Sequence, residues 1–164
     1  MKGVICALLA ATLEFSTRWA QAQLDAGCDL IVFAEGISSA SIIDEATFKA
    51  HALPVLDAFA RKVRGLTALE FVGHAEPFMR HVGGLGVAAY LLGEADGLPA
   101  SRAAIGRSSK AIIGSVNNLK LLRWAPERVE FEARRLIGSI SKTDLLLAIG
   151  GGALPERPIE VFRN

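Results

Sequence analysis

Glu70, His74 and Glu76 fall within one short segment, Leu69-Glu70-Phe71-Val72-Gly73-His74-Ala75-Glu76-Pro77-Phe78, where an apolar run meets a glycine turn. Carboxylates and an imidazole this close together can bind a ligand or help to hold a metal ion, or they form only a strand-end polar cluster facing a water-filled pocket. If the run is a strand, alternation puts Glu70 and Val72 on one face and Phe71 on the other. A second apolar run, ending Ala148-Ile149-Gly150-Gly151-Gly152, also enters glycine. Such glycines either turn successive N–H groups towards an anion or serve only a tight turn. Glu35 and Asn117 each close a further apolar run. The Glu35 carboxylate either binds substrate or caps the Ser38-Ser39 loop, and Asn117 with Asn118 either contacts a ligand or makes a routine turn.

Other chemistries find less support. His51, His74 and His81 do not have the ligand spacing of zinc enzymes. Cys6 and Cys28 form no Cys-x-x-Cys pair, so no structural disulfide is implied and a reduced, cytoplasmic setting is the default. Gly84-Leu85-Gly86-Val87-Ala88-Ala89 has the form of a dinucleotide fingerprint. It follows a helix and enters a strand, the reverse of the working order, and Glu94 and Asp96 come too soon to hold a ribose.

The elements that carry these residues alternate between helix and strand, the pattern of parallel α/β architecture. Helix is expected from Val4 to Ala26, ending at Gly27. Ile5, Leu9, Leu13, Ser16, Ala20 and Leu24 form its inner stripe, opposite Glu14, Arg18, Gln21 and Asp25. A second helix starts near the N-cap Asp44, carries Phe48, Ala52, Leu56, Phe59 and Val63 inward, and is kinked by Pro54. A third has Pro126 in its first turn, an apolar face of Val129, Ala133, Leu136, Ile137 and Ile140, and a Glu130–Arg134 ion pair. Short helices follow Pro77 and Pro99. Strands are expected at Leu30 to Phe33, Ala68 to Val72, Val87 to Leu91, Ala111 to Gly114 and Leu145 to Ile149. The carboxyl ends of such strands are where parallel α/β proteins present functional groups.

The chain of 164 residues reads as a single domain, 1–164, with no repeat or long linker. It is short for a complete β/α barrel, which takes roughly 200 to 250 residues. Hydrophobic residues make up 51% and mean hydropathy is +0.36, a balance suited to a fragment of a larger core or to a protomer that buries a face against a partner. The formal charge of +1, with Lys and Arg scattered, gives no nucleic-acid footprint. Lys2 and the apolar stretch after it mimic a secretory signal, but the helical stripe running on to Leu24 favours an ordinary amphipathic helix. No apolar run is long enough for a membrane span.

The sequence resembles the uroporphyrinogen decarboxylase superfamily over nearly its whole length. Ala20 to Asp29 is similar to that family's helix-to-strand passage, and Val32 to Ser39 through Phe48 and Leu53-Pro54 to its substrate loop and the helix that follows. Ile112 to Asn118 resembles a further strand end, and Gly150 to Phe162, with Pro155, Pro158 and Glu160, the closing turn and last helix. The wording around Glu35 to Pro54 is closer to the cobalamin-dependent methyltransferase branch. The fold implied is α/β, a partial (β/α)8 TIM barrel of about five parallel strands with helices outside, from about the fourth barrel strand onward.

The resemblance also implies a site. In the methyltransferase branch, zinc held by a His-x-Cys-Gly segment and a later Cys activates a thiol for attack on a methylcorrinoid. The matching positions here are Glu70, Val72 and Gly151, so one donor of three is kept and no metal cofactor is expected. The decarboxylase branch, a cofactor-free lyase of porphyrin biosynthesis, would want His at the Gly151 position. The function implied is a decarboxylase-family protein resembling the corrinoid methyltransferases, truncated or degenerate and without the zinc site. The alternatives are a decarboxylase-like lyase and a non-catalytic half barrel that binds an anion or a partner. Glu35, Glu70, His74, Asn117 and Gly151 are the expected substrate-binding residues. The expected partners are an N-terminal half barrel or a second copy, a small anionic ligand and a corrinoid protein. The sheet edges are expected at the Leu30-to-Phe33 and Leu145-to-Ile149 strands, both continuous and apolar with no charge to block pairing.

Overall fold

Apolar runs rich in Leu, Ile, Val and Phe become the five strands of one sheet: Leu30–Glu35 (β1), Leu66–Phe71 (β2), Ala89–Leu92 (β3), Ala111–Asn117 (β4) and Leu145–Gly150 (β5). The computed structural model of the chain describes residues 2–106, 110–140 and 144–150. Each strand pairs in parallel with the next, and the spatial order β1-β2-β3-β4-β5 is the order in the chain. Parallel crossovers are right-handed almost without exception, so identical steps place every connecting helix on one face of the sheet. A doubly wound sheet would have to reverse its strand order. This sheet is singly wound, as an arc of a TIM barrel is.

The outer face carries the core. Leu69, Phe71, Tyr90, Leu92, Ile112 and Val116 point outward from the strands into the main hydrophobic cluster, against Phe48, Leu56, Phe78, Met79 and Leu98 from the helical layer. A smaller cluster joins Ile31 to Ala20, Phe59 and Val63 beneath the first helix, Lys2–Asp25 (α1). The inner face is built from smaller residues: Ala68, Ala89 and Ile113, with Leu91, Ala111 and Ala148 against them. Beyond that cluster Val32 is 44% exposed, Leu66 59% and Leu146 54%. The strands at the two ends of the order are β1 and β5, the edges expected from sequence.

Local chemistry explains the helices. Asp44 accepts the Thr47 N–H at 2.8 Å and so caps the short helix Glu45–Thr47 (α2), and those hydrogen bonds hold its carboxyl below its ordinary range. The kink expected at Pro54 takes a specific form. Pro54 has no N–H to give, and the chain opens into a π-helical turn over Phe48–Ala52, with Leu53 N–H bonding back to Phe48 O. The α-helical register resumes at once in Leu53–Lys62 (α3). A 3-10 turn over Glu76–Phe78 leads into Met79–Val82 (α4), and Leu98–Ile105 (α5) follows β3. These are the short helices expected after Pro77 and Pro99. Asn118–Leu121 (α6) precedes Pro126–Ile137 (α7), where Arg134 bonds Glu130 as expected.

Three expectations need correction. The inner stripe of α1 buries only its carboxyl-terminal part: Ala20 is covered, Leu13 and Leu24 are half-buried, and Ile5 is exposed. Gln21, assigned to the outer face, instead accepts the Arg64 N–H at 3.0 Å and ties α1 to the start of β2. On α7, Leu136 is buried but Ile137 stays 36% exposed, because the helix lies beside an edge strand with nothing beyond it among the described residues. Among those residues, no helix is long and apolar enough to cross a membrane.

Two tests follow from this packing. Phe48 is fully buried and stacked on Phe78 with ring centroids 4.5 Å apart. Phe48→Ala should therefore lower the unfolding free energy in urea by about 3–5 kcal/mol. Tyr90 donates its hydroxyl to Val82 O inside the core, and burial pushes its phenol above the ordinary range. A raised acid pKa stabilises fully below the unfolded value of about 10 and less above it. Stability should fall as pH rises above about 10, with a shallower decline in Tyr90→Phe.

Candidate functional site

A parallel sheet delivers every strand-to-helix loop to one rim, and here four loops meet at the carboxyl ends of β1 to β4. Two of them are stapled together. Ser39 Oγ accepts the His74 N–H at 3.1 Å, and Ala40 N–H donates to His74 O at 2.7 Å. Gly73 permits this approach. Its φ is +86°, and a Cβ there would stand 2.8 Å from Ser39 Oγ.

Inside that rim lies a cleft of about 160 Å³, lined by Glu70, Val72, Gly73, Glu94, Ser115 and Asn117 among others. Glu70 sits on the inner face, one residue before the end of β2, in register with Ala34 and Leu91. Its half-buried carboxylate has no hydrogen-bond or ion-pair partner among the described residues. Glu94 is partnered, by Asn117 Nδ2 and by Lys120 Nζ. Asn117 Oδ1 accepts the Lys120 N–H at 2.7 Å, so one side chain caps α6 and also holds Glu94 at the cleft. Ser115 donates to Leu92 O at 2.8 Å, and Gly150 comes so close that a Cβ would lie 3.0 Å from Ser115 Cβ. Among the described residues, the carboxylate left open in this cleft is that of Glu70.

The most elaborate hydrogen bonding on the rim belongs to Asp96, in the loop after β3. Its side chain is fully buried. Oδ1 accepts from Ala75 N–H and Glu76 N–H, both at 2.9 Å, Oδ2 lies 3.1 Å from Ala75 N, and Oδ1 is 3.0 Å from His74 Nδ1. Asp96 thus fixes the turn after β2 and orients the imidazole beside it, whose side chain is 40% exposed.

The expected site residues divide accordingly. Glu70 and Asn117 share the cleft, and Val72, just past the end of β2, lines it too. His74 stands on the same rim. Glu35 pairs with Phe71, so it lies on the opposite face from Glu70, and its Oε1 accepts from Ile37 N–H at 3.0 Å and Ser38 N–H at 3.1 Å. That is the loop-capping arrangement. Gly151 lies outside the described residues. Asp96 went unrecognised in the sequence, where only its distance from a glycine motif was weighed. The available signal was an acid in the loop after a strand, Gly93-Glu94-Ala95-Asp96-Gly97, at the rim that also holds His74.

A catalytic zinc takes three protein donors. Of the matching positions, Glu70 offers one carboxylate, Val72 has no donor, and glycine at 151 brings no side chain. His74 Nδ1 is engaged by Asp96. Among the described residues, no group of three His, Cys, Asp or Glu side chains could hold a metal ion. These residues do not fit the zinc site.

Comparison with known proteins agrees with this architecture. No curated protein matches the sequence. A methyltransferase from Methanosarcina mazei is similar in structure, with a TM-score of 0.78 at 23% sequence identity. The similarity covers 91% of this chain and 44% of that one, so the chain spans less than half the length of that protein. The family model described as uroporphyrinogen decarboxylase (URO-D) matches residues 3–164, and the chain belongs to that family.

Proposed function

We propose that this chain forms one arc of a URO-D barrel that binds a small protic ligand and serves methyl transfer from a corrinoid, without the zinc site of the corrinoid-dependent methyltransferases. One observation carries the reading: the carboxylate of Glu70, unpartnered among the described residues, on the inner face of the sheet, in a cleft at the strands' carboxyl ends. A half-buried acceptor left open in a folded protein is poised for a ligand that donates a hydrogen bond. The similarity to a methyltransferase from Methanosarcina mazei supports the choice of branch. Asn117 holds Glu94 at the cleft, and Glu35 shapes the neighbouring loop. An anion would meet Glu70 head-on, so a ligand with a negative end places that end towards Lys120 and its protic end towards Glu70.

A second reading, an arc that binds its ligand or partner without turnover, draws on Val72 where a metal donor would stand. Mixing the chain with methylcobalamin and 2-mercaptoethanol, with a zinc chelator present, separates the two. Loss of the methylcorrinoid absorbance with formation of the methyl thioether is expected. Glu70→Gln keeps shape and removes charge from a group with no partner among the described residues. It should slow the reaction or weaken thiol binding at least about tenfold, the value of one charge-assisted hydrogen bond, while leaving thermal unfolding in place. Turnover no faster than the protein-free mixture favours the non-catalytic arc.

We also propose that the arc works within a closed barrel, completed by an N-terminal half barrel or a second copy. Both edge strands are apolar, and the inner face exposes Val32, Leu66 and Leu146. Unpaired edges of this kind recruit further strands. Sedimentation at micromolar concentration should show a dimer or larger species, or a complex when the complementary half is present. A monodisperse, cooperatively folding monomer of 17.4 kDa would overturn this assembly.

A further inference from the structure

We infer that His74, oriented by the buried Asp96 carboxylate, is the proton acceptor for the thiol in this site, doing by proton transfer what zinc does by coordination elsewhere in the family. The inference rests on the methyl-transfer reading for the identity of the ligand, and on the structure for the geometry of the pair.

His74 is held from three directions. Its N–H donates to Ser39 Oγ at 3.1 Å, its carbonyl accepts from Ala40 N–H at 2.7 Å, and its Nδ1 stands 3.0 Å from Asp96 Oδ1. Asp96 is fully buried, and its oxygens already accept backbone N–H groups from Ala75 and Glu76. An oxygen that accepts from backbone donors is a carboxylate acceptor, so the bond to His74 is made by an imidazole that carries its proton on Nδ1. In the neutral ring, that choice leaves Nε2 with its lone pair. The side chain is 40% exposed, on the loop whose Gly73 lines the cleft. A turn pinned only for stability would need the two backbone donors but not an imidazole bonded to the same carboxylate and still open to the rim. The combination matches the orienting logic of an acid–histidine pair.

The chemistry balances. Even a cysteine thiol, with an ordinary pKa of about 8.5, is mostly protonated at neutral pH, and a simple alkyl thiol is more so. As sulfur attacks the methyl group of a methylcorrinoid, the S–CH3 bond forms and the bond between methyl and corrinoid breaks, its electron pair leaving with the corrinoid. The thiol proton passes to His74 Nε2, and the Asp96 carboxylate stabilises the imidazolium. His74 is the catalytic residue of this proposal, and Asp96 a positioning residue.

The test has two independent readouts on the full chain. The first is the tautomer of His74, read from its ring-nitrogen shifts in a protein labelled with 15N-histidine. Nδ1–H is expected in the wild type, with a shift towards Nε2–H in Asp96→Asn. An Nε2–H tautomer in the wild type overturns the inference whatever the activity. The second is methyl transfer from methylcobalamin to 2-mercaptoethanol with a zinc chelator present. His74→Gln retains a side-chain donor that can reach Asp96, so the turn stays pinned. The rate should nonetheless fall by about 100-fold, the low end of the contribution of a positioned base. An unchanged rate in a folded His74→Gln protein overturns the inference. If the wild type transfers no methyl group, the thiol assignment falls with the methyl-transfer reading. The expected tautomer in that same protein would then show that the His74–Asp96 geometry stands apart from that failure.

Discussion

The unbroken parallel register from β1 to β5 is the constraint from which the rest follows. Because each strand enters in the same direction and sits beside its predecessor, the loops after Glu35, Phe71, Leu92 and Asn117 reach one rim. Only that convergence lets Ser39, from the loop after β1, accept a bond from the backbone of His74, in the loop after β2. Only that convergence lets Asp96, from the loop after β3, reach back to the same turn. Three loops far apart in sequence become one hydrogen-bonded unit, tied by a carboxylate whose burial is tolerable because its lone pairs are occupied. The turn after β2 is thereby held by hydrogen bonds from the loops on both sides of it. Fixed loops at the strand ends are what a site on this architecture needs.

Much of this was legible in the sequence because it rests on short-range patterns. Five apolar runs bounded by Gly, Asp and Asn gave the strands, and Asp44, Pro126 and the Glu130–Arg134 spacing gave helix starts and pairs. Alternation across Glu70-Phe71-Val72 correctly turned Glu70 inward and Phe71 outward. What escaped depends on register or on partners distant in the chain. Glu35 also ends a strand, but its pairing with Phe71 puts it on the outer face, and nothing local to Ala34-Glu35-Gly36 sets that parity. Asp96 gains its role from Ala75, Glu76 and His74, none of them a sequence neighbour. The π turn over Phe48–Ala52 shows a third kind of limit: Pro54 announces a disturbance, but the local sequence does not say whether the chain kinks or widens.

The polar groups of the site are also arranged by what they already satisfy. Glu94 is met by Asn117 and Lys120, Ser115 by Leu92 O, and Asp96 by the turn after β2. Glu35 is met by its own loop. Among the described residues, that leaves capacity on the rim at the Glu70 and Glu76 carboxylates, the Ser38 hydroxyl and the second nitrogen of His74. Carboxylate oxygens and an imidazole nitrogen accept hydrogen bonds, which is why a ligand bearing a transferable proton suits the rim better than one bearing only negative charge.

The inner face gives these acceptors a direction. In register from β2 through β4, one row across the sheet reads Ala68, Ala89 and Ala111, and the next row towards the rim reads Glu70, Leu91 and Ile113. Further on, Ser115 and Asn117 project from β4 beside Ala148 and Gly150 of β5. The interior therefore grades from methyl groups at its floor to carboxylate, hydroxyl and amide at its mouth. In closed barrels, layers of bulky branched residues fill this space from alternate strands. A row of alanines contributes little volume, so in a closed barrel the side chains that fill the floor must project from the strands opposite. Complementary packing of that kind would seat the arc against its complement below, and leave the mouth, where Glu70 and His74 stand, open to a ligand.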